Sequence, residues 1–396
     1  MQVIVQPRSS LLAAQAQTAQ FRPMSILIAI PNEATGAESR VAMVPETIAK
    51  IIKKWPNIKV VVQSGAGEKA GYPDADYAAQ PNTQVVKSLA KTQADVLFCL
   101  APPAAKESLP LAKDGHLITL TSGAASWPAL AKRAANVIAL EKLPRTSRAQ
   151  ALDVLSSQAN LGGYAAVLGA VAHLPRLMPP LTTAAGSSKP ANVLVLGVGV
   201  AGLQAIATAR RLGAQVWAFD VRPEVAEQIK SLGAKVVEVE GPTAEGKGGY
   251  AGALDEAGMK QLQHKLAPFI AKADVIISTA QVPGKPAPVL ISAAAVAAMR
   301  PGSVVADLAA GGYNAANGIK GGNCPLTVAN QATQTEGGIT LLGHTNWPAT
   351  VAGDASRFFS QNMANLLALL LDAQGHITHT DELIQAMHII HNGKVK

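Results

Sequence analysis

Cysteine is almost missing from this chain: Cys99 and Cys324 are the two in 396 residues. That count excludes a disulfide scaffold and any zinc site made of cysteine alone, and it fits a reducing compartment. Aromatic residues reach only 4% and charged residues 15%, against about 25% charged in an average soluble chain. Long apolar runs are missing too. Residues 293–299 read AAAVAAM, and residues 366–371 read LLALLL before Asp372. A spanning helix needs about 20 predominantly apolar residues. A mean hydropathy of +0.20 therefore does not make this a chain that crosses a membrane by itself. The net charge is +8, from 34 Lys and Arg against 26 Asp and Glu. No run of five or six basic residues occurs, and aromatics are not interleaved with Lys or Arg, so no nucleic-acid partner is expected. The charge reads as a solvated surface with one phosphate-binding site. GxSxG and HExxH are absent.

What is present is an alternation. Apolar runs at 25–30, 59–63, 95–100, 116–120 and 137–140 are separated by helical stretches such as 46–54. A second series lies at 193–196, 216–220, 236–239, 275–278, 304–307 and 339–342. Strands alternating with helices mean βαβ units and mostly parallel sheets. The expected fold is α/β, with two doubly wound, Rossmann-like parallel-sheet domains and a cleft between them. Residues 148–175 read as a helical connection, and 355–371 as a well-buried helix that returns to the first unit. The expected domains are 24–145 with 350–396, discontinuous, and 146–349, which includes the connecting helix. Residues 1–23 carry no acid and two Arg, resembling a weak transit peptide. A disordered tail or an early start codon is the preferred reading.

The sharpest motif is Gly197-Val198-Gly199-Val200-Ala201-Gly202. The strand VLVL precedes it, a helical stretch follows, and the next strand ends in Asp220, 23 residues after Gly197. The spacing expected of a dinucleotide-binding turn is about 20. Gly197 allows the tight turn, Gly199 lets the backbone approach a pyrophosphate, and Gly202 lets helix and sheet pack closely. The helix N-terminus offers free N–H groups to phosphate. Asp220 can accept ribose hydroxyls and would repel a 2′-phosphate, which favours NAD over NADP. Arg222 tempers this, since it could accept that phosphate. A second glycine loop, Gly65-Ala66-Gly67-Glu68-Lys69-Ala70-Gly71, has the spacing GxGxxxG and no acid ending the next strand. It reads as an ordinary loop.

Residues 144–160 read PRTSRAQALDVLSSQAN. If helical, they place Gln150, Asp153, Ser156 and Ser157 on one face. Amides, hydroxyls and a carboxylate suit a nicotinamide carboxamide and a ribose. Helix capping by Ser147 with ordinary salt pairs explains the residues equally well. Four of the eight histidines, His376, His379, His388 and His391, lie near the C-terminus in i, i+3 pairs. With no cysteine nearby, and with Gly375 and Asn392 read as loose ends, no metal site is expected.

The stretches PRTSRAQALDVLSSQANLGGY, TTAAG, LGVGVAGLQAIATARRLGA, DVRPEVAEQ, PGKPAPVLI, MRPGSVVADLA and GGNCPL occur in that order. Over about residues 25–372 the chain closely resembles the soluble NAD(H)-binding domain I, the α-subunit portion, of proton-translocating nicotinamide nucleotide transhydrogenase. Alanine dehydrogenase shares this fold. The resemblance implies hydride transfer between NAD(H) here and NADP(H) on a partner subunit. It also implies a homodimer, membrane-spanning partners that carry the proton channel, and a cytoplasmic place on the inner face of the plasma membrane. Arg145, Gln150, Asp153 and Ser156 would form the polar loop at the dihydronicotinamide, with Gln150 reaching toward NADP(H). Gly197, Gly199, Val200 and Gly202 would hold the pyrophosphate, and Asp220, Val221 and Arg222 would line the adenosine site. Gly249 and Tyr250 would belong to a loop, 243–252, that closes over NAD. Thr279, Ala280 and Gln281 would sit beside the ribose, although Gln281 replaces a usual apolar residue. Alanine dehydrogenase keeps a Lys in the strand matching VLFCLAPP and a His at the functional end of the one matching HLITLTSGA. Here the first strand holds Phe98, Cys99 and Leu100, and His116 stands at the start of the second. Arg40 persists. The departure counts against a soluble alanine- or opine-type dehydrogenase. A non-catalytic NAD-sensing protein is the other alternative.

Overall fold

Short runs of aliphatic and β-branched residues, apolar on both faces, are stable as strands only when helices cover both sides of a parallel sheet. The computed structural model describes residues 25–104, 108–121, 123–239, 255–281, 286–311 and 322–396. In it these runs build two such sheets. The first contains β1 (Leu27–Ile30), β2 (Lys59–Gln63), β3 (Thr83–Val86), β4 (Ala94–Phe98), β5 (Leu111–Thr119) and β6 (Asn136–Ala139). A small exposed ribbon follows, β7 (Leu181–Thr183) with β8 (Gly186–Ser188). The second sheet contains β9 (Asn192–Leu196), β10 (Gln215–Phe219), β11 (Lys235–Val236), β12 (Val275–Ser278), β13 (Val304–Asp307), β14 (Ala332–Gln334) and β15 (Thr340–Leu342). Finally β16 (His388–His391) and β17 (Lys394–Val395) return to the first sheet.

The strand orders are β17-β16-β6-β5-β4-β1-β2-β3 and β11-β10-β9-β12-β13-β15-β14. All pairs are parallel except β6–β16, β16–β17 and β14–β15. The chain reverses its winding between β1 and β4 in the first sheet, and between β9 and β12 in the second. Such switch points open a crevice at the carboxyl ends of the strands.

Most strands fall within two residues of the expected ends. The short edge strands β3, β14, β16 and β17 were not expected: they have few apolar residues or lie among histidines. Strand β5 begins at Leu111, so His116 sits inside it and not at its start. Its early residues, LAKDG, are too polar to read as strand. The connecting segment is not one helix. A 3-10 turn, Ser147–Leu152, ends at Asp153, whose backbone leaves the helical region (φ −75, ψ 90), and an α-helix then runs Val154–His173.

That connecting helix lies against the helix Val200–Arg211. A Cβ on Gly163 would stand 2.1 Å from the Ala201 carbonyl oxygen, so only glycine permits this approach. The helix Ala352–Leu370 buries Phe359, Met363, Leu366, Leu367 and Leu370 in the core of the first sheet, with Ile48, Ile51 and Ile52 of the helix Pro45–Lys54. Its Ser356 and Ser360 hydroxyls accept the N–H groups of Val41 and Val44, each at 3.0 Å.

Candidate functional site

At the β9/β12 crevice the three glycines of the first motif have different surroundings. Gly197 has φ +88, and a Cβ there would meet the Ala280 nitrogen at 2.8 Å. A Cβ on Gly202 would come to 2.1 Å from the Gly197 carbonyl oxygen. The protein's own packing requires both. Around Gly199 a Cβ would find nothing within 4 Å among the described residues. Gly199 caps the helix Val200–Arg211, which carries no acidic residue in its first turn, and Val200 is exposed. The first N–H groups of a helix have no partner within it. An uncapped N-terminus facing open space is a place for an anion, and a backbone free of Cβ at Gly199 leaves room for a pyrophosphate. The residues fit that group.

Across the crevice, the Thr279 hydroxyl donates to the Gly197 carbonyl at 2.8 Å. Ala280 N–H donates to Asn323 Oδ1 at 3.0 Å, and Asn323 Nδ2 donates back to the Ala280 and Pro288 carbonyls, each at 2.8 Å. Gln281 is exposed and donates to the Leu308 carbonyl at 3.0 Å. Asn323, fully buried, was missed as a positioning group; its one signal was the GGNCP stretch. Asp220 is 6% exposed and its carboxylate is fully engaged. Oδ2 accepts Val198 N–H (2.7 Å) and Arg222 Nη2 (3.0 Å); Oδ1 accepts Arg222 N–H and Nε, both at 2.9 Å. Asp220 thus fastens the glycine loop. The Asp220 hydrogen bonds hold the Arg222 guanidinium more firmly protonated than usual. Val221 packs at the edge of the adjoining core. Gly249 and Tyr250, with the loop 243–252, lie outside the described residues.

The polar segment is brought together in part. Asp153 caps the connecting helix, accepting Ser156 N–H at 2.9 Å and the Ser156 hydroxyl at 2.6 Å. It thereby takes the capping role that one of the two readings gave to Ser147, because a carboxylate placed before the first turn satisfies its free donors. Gln150 belongs to the preceding 3-10 turn, so it does not share a helix face with Asp153, Ser156 and Ser157. Arg145 and Gln150 lie on the exposed side. The turn is held from below: Asn362 and Asn365 of the helix Ala352–Leu370 both donate to the Ala151 carbonyl at 2.8 Å, and Ser157 donates to Asn362 at 2.7 Å. Asn362 and Asn365, three residues apart on the helix Ala352–Leu370, were the overlooked signal. Arg148 pairs with Asp381 and Glu382.

At the β1/β4 crevice of the first sheet, backbone donors are claimed by the chain itself. Glu33, just after β1, accepts the N–H groups of Leu100 (2.8 Å) and Ala101 (3.1 Å). Burial pushes its carboxyl up to about 7, against the opposing pull of those two donors. Arg40 is clamped as well. It donates to both Glu38 oxygens at 2.9 and 2.7 Å and to Gln158 at 2.7 Å, while Asn346 donates to Glu38 at 2.9 Å. Burial works against the Glu38 charge, yet the Arg40 contacts hold its carboxyl below the ordinary range.

The family model described as alanine dehydrogenase/PNT, N-terminal domain, matches residues 29–162, and the C-terminal domain model matches residues 166–396. A Rhodospirillum rubrum protein, named as the first part of NAD(P) transhydrogenase subunit alpha, is 42% identical over 357 residues, 87% of this chain and 90% of its own. The crystal structure of transhydrogenase from Sinorhizobium meliloti superposes with a TM-score of 0.81 at 36% identity, covering 93% of this chain and all of that one. An L-alanine dehydrogenase structure superposes with a TM-score of 0.72 at 22% identity, covering 93% and 96%; that likeness is one of fold. Among the described residues no helix is long and apolar enough to cross a membrane.

Proposed function

Because the chain belongs to the alanine dehydrogenase/PNT family, and within it matches the alpha subunits of NAD(P) transhydrogenases, we propose that it is the NAD(H)-binding subunit of a proton-translocating transhydrogenase. The observation that carries this is the open space at Gly199, at the N-terminus of an uncapped helix on the second sheet's switch point. The backbone N–H groups of Gly199, Val200 and Ala201 would take the pyrophosphate. Asp220 and Arg222 would receive the adenosine ribose, the hydroxyls displacing part of the Arg222 fork. With Arg222 already bound to Asp220, NAD is preferred and NADP is left to the partner subunit. Thr279, Ala280 and Gln281 would border the nicotinamide ribose.

The bound nicotinamide supplies the hydride. The chain's part is then to position it, since hydride transfer between two nicotinamides needs no side-chain acid or base. Arg145, Gln150, Asp153 and Ser156 would orient the dihydronicotinamide, with Gln150 facing the partner's nucleotide. The Asn362 and Asn365 anchors keep that turn in place. Proton translocation would lie in membrane-spanning partners, placing this subunit on the inner face of the plasma membrane. A homodimer is consistent with the exposed Tyr164, Leu168 and Leu181.

Two observations weigh against amino-acid dehydrogenation. Arg40 is held by Glu38 and Gln158, so it is not available to a substrate carboxylate. Phe98, Cys99 and Leu100 stand where that chemistry needs a lysine. Pyruvate, ammonium and NADH should give no turnover at ordinary enzyme rates of about 1–1000 per second. The direct test mixes this chain with its NADP(H)-binding partner in a stopped-flow experiment. Gln150→Asn should slow hydride transfer on the order of 100-fold, since near-attack geometry tolerates little misplacement, while leaving NADH affinity nearly unchanged. An unchanged rate would remove Gln150 from the site.

A further inference from the structure

Four histidines that no nucleotide site uses lie together at the far edge of the first sheet. His116 comes from β5, His379 from the loop before the helix Glu382–Met387, and His388 and His391 from β16. The His116 and His379 Nε2 atoms face each other at 2.8 Å. Ring centroids are 5.0 Å apart for His116–His379, 4.6 Å for His379–His388 and 5.1 Å for His388–His391. His388 Nε2 meets Asn136 Oδ1 at 3.3 Å. His379 stacks on both His116 and His388, and His391 meets His388 edge-on. His116, His379 and His391 border an open cavity of about 550 Å³ lined also by Asp95, Lys113, Asp114 and Asn136, so solvent protons reach the cluster. His116 and His388 are themselves buried.

We propose that this cluster is an acid-released latch holding the C-terminal hairpin, β16–β17, to the edge of the first sheet at β6. Neutral imidazoles can share one proton between Nε2 atoms and stack. Once two or more carry charge, like charges meet at contact distance in a partly buried place. The nearby groups do not cancel this. From β4 and β5, the Asp95 backbone and the Asp114 carboxylate favour protonation of His116, less than burial and His379 oppose it, and the Asp95 carboxylate is occupied by Leu27 N–H at 2.8 Å. Lys113 and, past β17, Lys396 oppose protonation. Among the described residues, no three side chains of metal-binding type converge on one point, so a proton and not a metal ion is the ligand the geometry favours.

The direction follows from burial. It lowers His116 to about 4 and His388 to about 3, with the neighbouring histidines adding to the effect. A released hairpin lets the same rings titrate near 6.5. The attached state is unaffected above that pH, and it is lost progressively as pH falls from 6.5 toward 4. One pH unit below 6.5, each such histidine weakens attachment about tenfold, so the two together give about 100-fold.

The test is hydrogen exchange on the full chain at pH 7.5 and 5.5, corrected for intrinsic rates. Protection of residues 388–395 should fall about 100-fold, while that of β9 and β12 stays nearly constant. Imidazole NMR on the same sample should show His116 and His388 still neutral at pH 5.5. His379→Gln, at the cavity rim, should fold and should reduce the pH response of the hairpin. Unchanged hairpin protection, an equal loss in the second sheet, histidines titrating near 6.5, or loss of protection at pH 7.5 on adding EDTA would each overturn the proposal.

Discussion

The two sheets offer two crevices of the same topological kind, and the chain treats them oppositely. At the β1/β4 switch point the backbone donors after β4 are taken by the protein's own Glu33. Next to it, the glycine loop after β2 is likewise self-satisfied. Gly65 N–H donates to Asp74 at 2.8 Å, and a Cβ on Gly67 would meet the Tyr72 carbonyl and the Tyr77 hydroxyl, each at 2.6 Å. Only a three-residue 3-10 turn, Glu68–Ala70, follows. At the β9/β12 switch point an aspartate also holds the loop, through Val198 N–H. There the middle glycine faces open space, and a twelve-residue helix points its N-terminus into it. A glycine loop after a strand therefore says little by itself. What makes a phosphate site is whether its donors remain unclaimed and whether a helix long enough to contribute a dipole stands behind them.

Five substitutions sharpen this contrast. Asp220→Ala should have the largest effect. It removes the carboxylate that holds the half-buried Arg222 guanidinium and frees the loop, a loss of about 3–5 kcal/mol in urea unfolding, with NADH binding lost as well. Gly202→Ala forces the turn open and should cost about 1–3 kcal/mol, again with loss of NADH affinity. Its counterpart Gly67→Ala should cost a similar amount and leave NADH affinity unchanged. Glu33 gives a pH signature. Its carboxyl ionises at the ordinary 4.5 when unfolded but holds its proton to about 7 in the folded chain. Its contribution is full below 4.5 and is lost as pH rises to 7. That loss, on the order of 1–3 kcal/mol, should vanish in Glu33→Gln when unfolding is measured across that range. Gly199→Ala should be the mildest for the fold, within about 0.5 kcal/mol, because its Cβ meets nothing among the described residues. Isothermal titration should nevertheless show NADH affinity reduced about tenfold or more, since the methyl stands where the backbone must be approached.

Much of this was legible from residue order. The strands of both sheets read as apolar runs because they are buried on both faces, and the loop at 197–202 could be read because each of its glycines has a separate mechanical reason. What could not be read was the use made of polar groups at long range. Nothing in the sequence says that Glu33 reaches Leu100, that Asn362 and Asn365 hold the turn bearing Gln150, or that His116 meets His379 across 263 positions. The single long helix expected at 148–175 failed for a local reason: Asp153 is a better cap than an interior residue, so the chain breaks there and rotates Gln150 away from Ser156. His388 and His391, beside an Asn392 read as a loose end, stand in a strand because Ile389 and Ile390 are buried between them.

The central proposal is that the second crevice takes a dinucleotide and the first, whose donors Glu33 holds, does not. A crystal structure of the chain grown with NADH measures it directly. The pyrophosphate should lie at the N-terminus of the helix Val200–Arg211, within hydrogen-bond distance of the Gly199 and Val200 N–H groups, with Glu33 still on Leu100 and Ala101. A dinucleotide seated at the Gly65 loop, or one that displaces Glu33 to enter the β1/β4 crevice, would contradict it.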